Sequence, residues 1–254
     1  MIMLIRKFLR KFFNYKNDLA SLTIVGVGPG DPSLLTIAAL KAIKKAKVVF
    51  FPVSSEDKKS FSAEIVKKNI KFKKKIPIVF PMAKNEFDHK EIWRNSAEMI
   101  VKFIKNDKSV VLLCLGDPSL FASSSNILRI IDNSYPEIIT RSIPGISSFS
   151  AAAAFSNFDL ATKGETLIIK ECPSTKSELI FLISQSRENK TVLVIMKVGN
   201  RWKWVKEVLK KEDIIKKSVI ALNVGMSDQI IQNVSNFHDD VVPYFSLLLI
   251  RISK

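Results

Sequence analysis

Short apolar runs alternate with charged stretches of helical spacing along most of this chain. From Leu22 onward the pattern predicts strands at 22–25, 47–51, 76–79 and 110–115, separated by helices at 34–46, 61–69 and 88–105. Runs that are apolar at successive positions suit strands buried on both faces, and their alternation with helices predicts an α/β fold with a largely parallel sheet. After Pro144 the rhythm changes. A helix is predicted at 147–155, apolar runs follow at 166–169, 191–196, 218–224 and 245–252, and further helices fall at 176–185 and 201–211. The terminal run suits a mixed sheet with antiparallel pairs. A turn cluster at 133–137 separates the two halves, and residues 138–143 lead into the second, so the chain divides into an N-terminal α/β domain at 19–140 and a C-terminal α/β domain at 141–254. The polar stretches 54–60 and 84–90 lack periodicity and read as loops that could cover a site.

Seven of the eight glycines stand at the ends of apolar runs: Gly26, Gly28 and Gly30 after the first, then Gly116, Gly145, Gly199 and Gly225. Strand ends are where open α/β sheets hold ligands. The first turn reads Gly26-Val27-Gly28-Pro29-Gly30-Asp31-Pro32 and departs from the dinucleotide fingerprint G-x-G-x-x-G. Pro29 has no N–H to offer, and Asp31 sets a negative charge where a pyrophosphate would bind. A ligand with positive charge or none fits better. The plain alternative is a tight Gly-Pro turn with Asp31 or Ser33 capping the following helix. A second Gly116-Asp117-Pro118 turn follows the run 110–113, and Pro144-Gly145 precedes a helix start rich in alanine.

Together these segments resemble the tetrapyrrole methylase family. The resemblance runs from about Leu22 to Ser253 and rests on Gly-Val-Gly-Pro-Gly-Asp-Pro-Ser-Leu-Leu-Thr at 26–36, Leu-Gly-Asp-Pro-Ser-Leu-Phe at 115–121, Pro-Gly-Ile-Ser-Ser-Phe-Ser-Ala-Ala-Ala-Ala at 144–154, Met-Lys-Val-Gly at 196–199 and Pro-Tyr-Phe-Ser-Leu-Leu-Leu-Ile-Arg at 243–251. It implies two α/β domains with the cofactor cleft between them, a homodimer, and S-adenosylmethionine as the methyl donor. Within the family these segments are most similar to the corrin branch that methylates precorrin-2 at C-20 in cobalamin biosynthesis. Enzymes acting on the cobalt-loaded ring or at other corrin carbons remain alternatives. A ribosomal-RNA ribose methyltransferase of the same superfamily and a non-catalytic binding protein are disfavoured.

The resemblance further implies which residues hold the cofactor. Gly28, Pro29 and Gly30 line its pocket, while Leu115, Gly116, Asp117 and Leu120 form a central wall. Ser147 and Ser148 reach it from the second domain, and Met196 and Gly225 close the adenine side. No catalytic base is identified. Asp117 is a weak candidate, with holding the turn as its other role. At Phe121 many members of the family carry tyrosine, so a hydroxyl contact from that position is absent here.

Charge and composition refine this picture. The chain carries 40 Lys and Arg against 24 Asp and Glu, a net +16, which raises nucleic acid as a partner. The excess is lysine spread along helical faces without interleaved aromatics, so no specific nucleic-acid partner is expected. A precorrin, with its acetate and propionate arms, is a polyanion that such a surface would attract. Two cysteines, Cys114 and Cys172, lack metal-ligand spacing, and His89 and His238 have no ligand set beside them, so no metal is expected. Free thiols and the absence of a run long enough to span a bilayer suit a cytoplasmic protein. Residues 1–18 differ from the rest: Leu4, Ile5, Phe8, Leu9, Phe12 and Phe13 recur at helical spacing between basic residues. This is a basic amphipathic pattern, for which packing on the body is favoured over contact with a membrane.

Overall fold

The computed structural model describes residues 21–55, 59–80, 86–106 and 108–252, with side chains left out at 86–88. The amphipathic segment 1–18 lies outside the described residues, as do parts of the two polar stretches. The chain forms two compact units, which meet in sequence at Ile146 and Ser147.

The first unit is built on five parallel strands, β1 (Ser21–Gly26), β2 (Val48–Val53), β3 (Lys74–Val79), β4 (Val110–Cys114) and β5 (Ile139–Ile143), in the order β3-β2-β4-β1-β5. Helices α1 (Ile37–Lys45), α2 (Phe61–Ile65), α3 (Glu86–Lys105) and α4 (Ser124–Ser134) connect them. Successive strand residues point to opposite faces, so an unbroken apolar run needs cover on both sides. Leu22, Ile24, Phe50 and Leu112 pack with Ile100, Ile104, Ile127 and Ile131 of α3 and α4. Val25, Val49, Val111 and Leu113 pack on the other face with Ala39 and Ile43 of α1 and Ile65 of α2.

Three local features depart from the pattern. Helix α2 stops at Ile65, and residues 66–70 continue as tight turns, with Asn69 N bonded to Val66 O at 2.8 Å. Turn spacing there imitates helical spacing. Helix α4 was hidden by its polar Ser123-Ser124-Ser125 start; Ile127 and Ile131 are buried on its inner face, with Leu128 and Ile130 partly buried beside them. Strand β5 pairs in parallel with β1 and so completes the first sheet instead of opening the second half.

The second unit has a mixed sheet of β6 (Thr166–Glu171), β7 (Thr191–Met196), β8 (Ser218–Leu222), β9 (Ile230–Asn233) and β10 (Ser246–Arg251), ordered β6-β7-β10-β8-β9. Strand β6 is parallel to β7, whereas β10 runs antiparallel to both β7 and β8. Helices α6 (Lys176–Glu188) and α7 (Trp202–Lys211) cover one face through Leu179, Ile183, Trp202, Val205 and Leu209. Trp202 also meets Phe237 edge-on and donates its Nε1–H to Asp239 O at 2.8 Å, which satisfies its one polar atom. Helix α5 (Ser148–Phe155) contacts β10 and buries Ala151, Ala152 and Ala153. Strand β9, short and partly exposed, has no apolar run to announce it.

Candidate functional site

In the first unit, the three glycine turns follow three neighbouring strands, β4, β1 and β5. Beyond the strands, the β1 and β4 turns keep pairing: Val27 N donates to Cys114 O at 2.9 Å, Gly116 N to Gly28 O at 2.8 Å, and Gly28 N to Gly116 O at 3.4 Å. The turn after β5 closes on the same place. A methyl at Gly145 would lie 2.1 Å from Gly116 O, and one at Gly26 would lie 2.5 Å from Gly145 N. Only glycine permits that backbone contact.

Asp117 fastens the junction. Its Oδ2 accepts the Gly145 N–H at 3.0 Å, and its Oδ1 accepts the Ser119 N–H at 2.8 Å together with the Ser119 hydroxyl. Burial opposes ionisation of this carboxyl, but the hydrogen bonds from Ser119 and Gly145 outweigh it and hold the group below its ordinary value. Asp31 is likewise held low, by the Ser33 N–H and hydroxyl, as it caps a 3₁₀ turn at Pro32–Leu34. Helix α1 takes its own cap from Thr36, whose Oγ1 accepts Ala39 N at 3.1 Å. Two ionised carboxylates at this sheet edge repel a phosphate and favour a cationic or neutral ligand.

Gly116 has φ +72°, and a side chain there would meet nothing within 4 Å. Its backbone is fixed on one side by Gly28 and opens to space on the other. Pro29 is buried, while Gly30, Leu115 and Leu120 are partly exposed around it. Phe121 adopts φ +49° and is 44% exposed. A bulky residue in the left-handed region carries strain of the kind that collects at binding loops. Cys114, just before this wall, is buried and its thiol is pushed up to about 11 by burial, helped by the charge on Asp117. It stays a protonated packing residue and offers no nucleophile.

The second unit gathers its own set at one sheet edge. Because β10 runs opposite to β7 and β8, the carboxyl ends Met196 and Leu222 lie beside its start, where Met196 pairs with Leu247 and Leu222 with Ser246. Met196 is partly exposed although the five residues before it in β7 are buried, which distinguishes it from a core methionine. Its carbonyl accepts Cys172 N at 2.7 Å. Gly225 has φ +78° and donates its N–H to Gln229 Oε1 at 2.6 Å, so the loop closes on itself. Ser147 is the N-cap residue of α5, with its hydroxyl making no bond to the first-turn amides, and Ser148 follows it partly exposed. Lys197, also left-handed at φ +57°, sets its ammonium on the Glu171 carboxylate.

The structure thus brings Gly28, Gly116 and Asp117 into one hydrogen-bonded junction in the first unit and sets Met196 and Gly225 at one edge of the second. Sequence reasoning missed Gly26 and Gly145 as contact residues. A glycine at the last position of a buried strand, as at Gly26, was the available signal. Among the described residues no group of His, Cys, Asp and Glu could hold a metal, and no helix is long and apolar enough to cross a membrane. His89 stacks on Trp93 with ring centroids 5.9 Å apart, and the carbonyl of His238 accepts from Lys206 Nζ at 3.1 Å.

The chain is 32% identical over 238 residues to a probable cobalt-precorrin-2 C(20)-methyltransferase of Methanocaldococcus jannaschii, covering 91% of this chain and 95% of that protein. It is 25% identical to the cobalt-precorrin-2 C(20)-methyltransferase of Salmonella typhimurium, covering 91% and 95% respectively. In fold it is similar to the X-ray structure of a cobalt precorrin-4 methyltransferase, with a TM-score of 0.67, 18% identity, and coverage of 91% of this chain and 95% of that one. Residues 21–235 match the tetrapyrrole (corrin/porphyrin) methylases, and the chain belongs to that family, whose members are S-adenosylmethionine-dependent methyltransferases.

Proposed function

We propose that this enzyme methylates the C-20 bridging carbon of precorrin-2. The observation that carries the reading is the wall at Gly116: its backbone is locked to Gly28, its open side has room for a ligand, ionised Asp117 follows it, and ionised Asp31 lies in the turn that begins at Gly28. That donor and charge set fits S-adenosylmethionine, which supplies a methyl group on a cationic sulfur. In the first unit Gly28, Pro29, Gly30, Leu115, Gly116, Asp117 and Leu120 would hold it. In the second, Ser147, Ser148, Met196 and Gly225 would contribute.

The ring carbon supplies its π electron pair to the new C–C bond, the C–S pair returns to sulfur, and the proton displaced from that carbon leaves to solvent. Such an in-line displacement by an electron-rich carbon needs little acid or base strength. What the protein supplies is orientation, worth about 7–11 kcal/mol in well-aligned reactions. Asp117 suits a positioning role, since its oxygens already accept three hydrogen bonds and a carboxyl held low is a weak proton acceptor.

A second reading, that the ring carries cobalt, is favoured by the two cobalt-precorrin-2 methyltransferases to which the chain is similar. Both forms are separated by one experiment. Under anaerobic conditions each macrocycle is supplied with S-adenosylmethionine carrying a carbon-13 methyl, and the product is located by mass spectrometry and NMR. One added methyl at C-20 is expected. Label at any other ring carbon would reject the assignment while keeping the family, and the preferred macrocycle would decide between the readings.

The wall itself is tested by Gly116→Ala. The new methyl meets no protein atom, so the expected folding cost is about 1–2 kcal/mol for a left-handed alanine. Affinity for S-adenosylmethionine is expected to fall by about tenfold or more, because the methyl enters the ligand's space. Calorimetry with the folded variant checks this, and unchanged affinity would remove Gly116 from the site.

A further inference from the structure

The opposite edge of the first sheet carries a second surface that the methyl transfer does not use. There the parallel strands begin, fixed by the registers Val48 with Lys74, Val48 with Val110, and Ser21 with Ile139. Helices α1 and α3 end on lysines, Lys44 and Lys45 in one and Lys102 and Lys105 in the other, where cations offset the negative ends of the helix dipoles. The turn that enters β3 is laced to the end of α1: Lys73 Nζ donates to Lys44 O at 2.9 Å and to Ala46 O at 2.7 Å. Lys47 N, next in the chain, bonds Ser109 Oγ at 3.2 Å and so ties in the start of β4. Among the described residues carboxylates here are fewer: Glu64 pairs with Lys67 at 3.3 Å, Asp132 accepts the Thr140 hydroxyl at 2.6 Å, and Glu137 precedes β5.

Phe72 stands in that turn, 92% exposed. Lys71 holds its ammonium 5.2 Å from the ring centroid, and the exposed Lys74 and Lys75 follow. A single exposed apolar residue needs no explanation. A ring held out by a turn fixed through Lys73 and set among lysines is different, because it matches the chemistry of an anionic bilayer. The ring can enter the boundary between headgroups and acyl chains while the ammonium groups meet lipid phosphates. The sequence before β1 repeats the combination, with Leu4, Ile5, Phe8, Leu9, Phe12 and Phe13 interspersed with Arg6, Lys7, Arg10 and Lys11. Nucleic acid would use the lysines and stack a base on Phe72, but it gives no use to the aliphatic Leu4, Ile5 and Leu9 that recur with basic residues in the sequence before β1.

We propose that this edge docks the enzyme on an anionic lipid bilayer, with Phe72 as the inserted side chain. The glycine turns then lie at the far ends of the same strands. The test is co-sedimentation of the full chain with vesicles of phosphatidylcholine alone or mixed with phosphatidylglycerol. The anionic vesicles are expected to bring down the protein, high salt to release it, and neutral vesicles to leave it in solution. Phe72→Ser is expected to lower partitioning by about fivefold to tenfold. The double substitution K71E/K75E is expected to lower it by about tenfold or more. Circular dichroism and methyl transfer in solution should not change in either variant, since none of these residues belongs to the glycine-turn site. No partitioning onto anionic vesicles would overturn the proposal, as would both variants partitioning like the parent. Binding of structured RNA that Phe72→Ser weakens, with the protein left free of vesicles, would assign the edge to nucleic acid instead.

Discussion

Gly145→Ala is expected to disrupt the first unit's site more than any other single methyl. The added carbon would lie 2.1 Å from Gly116 O and 2.8 Å from Gly26 C, both backbone atoms of neighbouring strand ends. No rotamer relieves such a contact. Either the turn after β5 moves away, breaking the Gly145 N–H bond to Asp117, or the Gly28–Gly116 pairing opens. The expected loss is about 2–4 kcal/mol of stability, at the upper end for overpacking because no flexible side chain absorbs it. S-adenosylmethionine binding should be lost with the junction even at temperatures where the remainder stays folded. Denaturant unfolding with calorimetry on the same preparation measures both. Near-parental stability with normal binding would show that the close approach is not required. The contrast with Gly116→Ala is informative, since that methyl enters open space and should affect the ligand far more than the fold.

Asp117→Asn is expected to separate positioning from proton transfer. An amide can keep one acceptor oxygen, but its NH₂ group must then face either the Gly145 N–H or the Ser119 N–H. A donor opposite a donor leaves one backbone group unsatisfied, at about 1–3 kcal/mol. Weaker cofactor binding and lower stability are expected, with the turnover of saturated enzyme reduced only a few-fold. If Asp117 accepts the displaced proton, turnover at saturation should instead collapse while affinity holds.

The pH dependence gives an independent readout. The folded-state carboxyl of Asp117 titrates below its ordinary value of 3.8, so the unfolded chain takes up its proton first as acid is added. Its stabilising contribution is full above about pH 4 and is lost as pH falls through the folded-state value. Melting curves across this acid range should be steeper for the parent than for Asp117→Asn. Asp31 contributes in the same window and remains in the variant, so part of the slope survives.

Much of the architecture was legible because the physics is local. Buried strands need apolar residues on both faces, and helices covering them need apolar spacing near 3.6, so four of the five parallel strands and most of the covering helices could be read to within a few residues. The glycine turns were legible too, since glycine clustered after an apolar run marks a strand end. Helix α4 was missed although Ile127, Leu128, Ile130 and Ile131 recur at helical spacing, because its polar Ser123-Ser124-Ser125 start follows the Gly-Asp-Pro turn and reads as loop; strand β9 was missed because it is short and partly exposed. The sequence on its own also settled against a pyrophosphate at the first turn: Pro29 and Asp31 remove the donor and supply the wrong charge.

Other properties existed only in three dimensions. That β4, β1 and β5 are neighbours is a matter of strand order, and local spacing carries no information about which strands pair. From that order follow the contact of Gly26, Gly116 and Gly145 and the role of Asp117, whose partner Gly145 lies 28 residues away in sequence. The same holds for part of the lysine cluster around Phe72. Lys71, Lys73, Lys74 and Lys75 flank Phe72 in sequence, but Lys44, Lys45, Lys102 and Lys105 join them only because the parallel sheet sends its strand starts and returning helix ends to one edge.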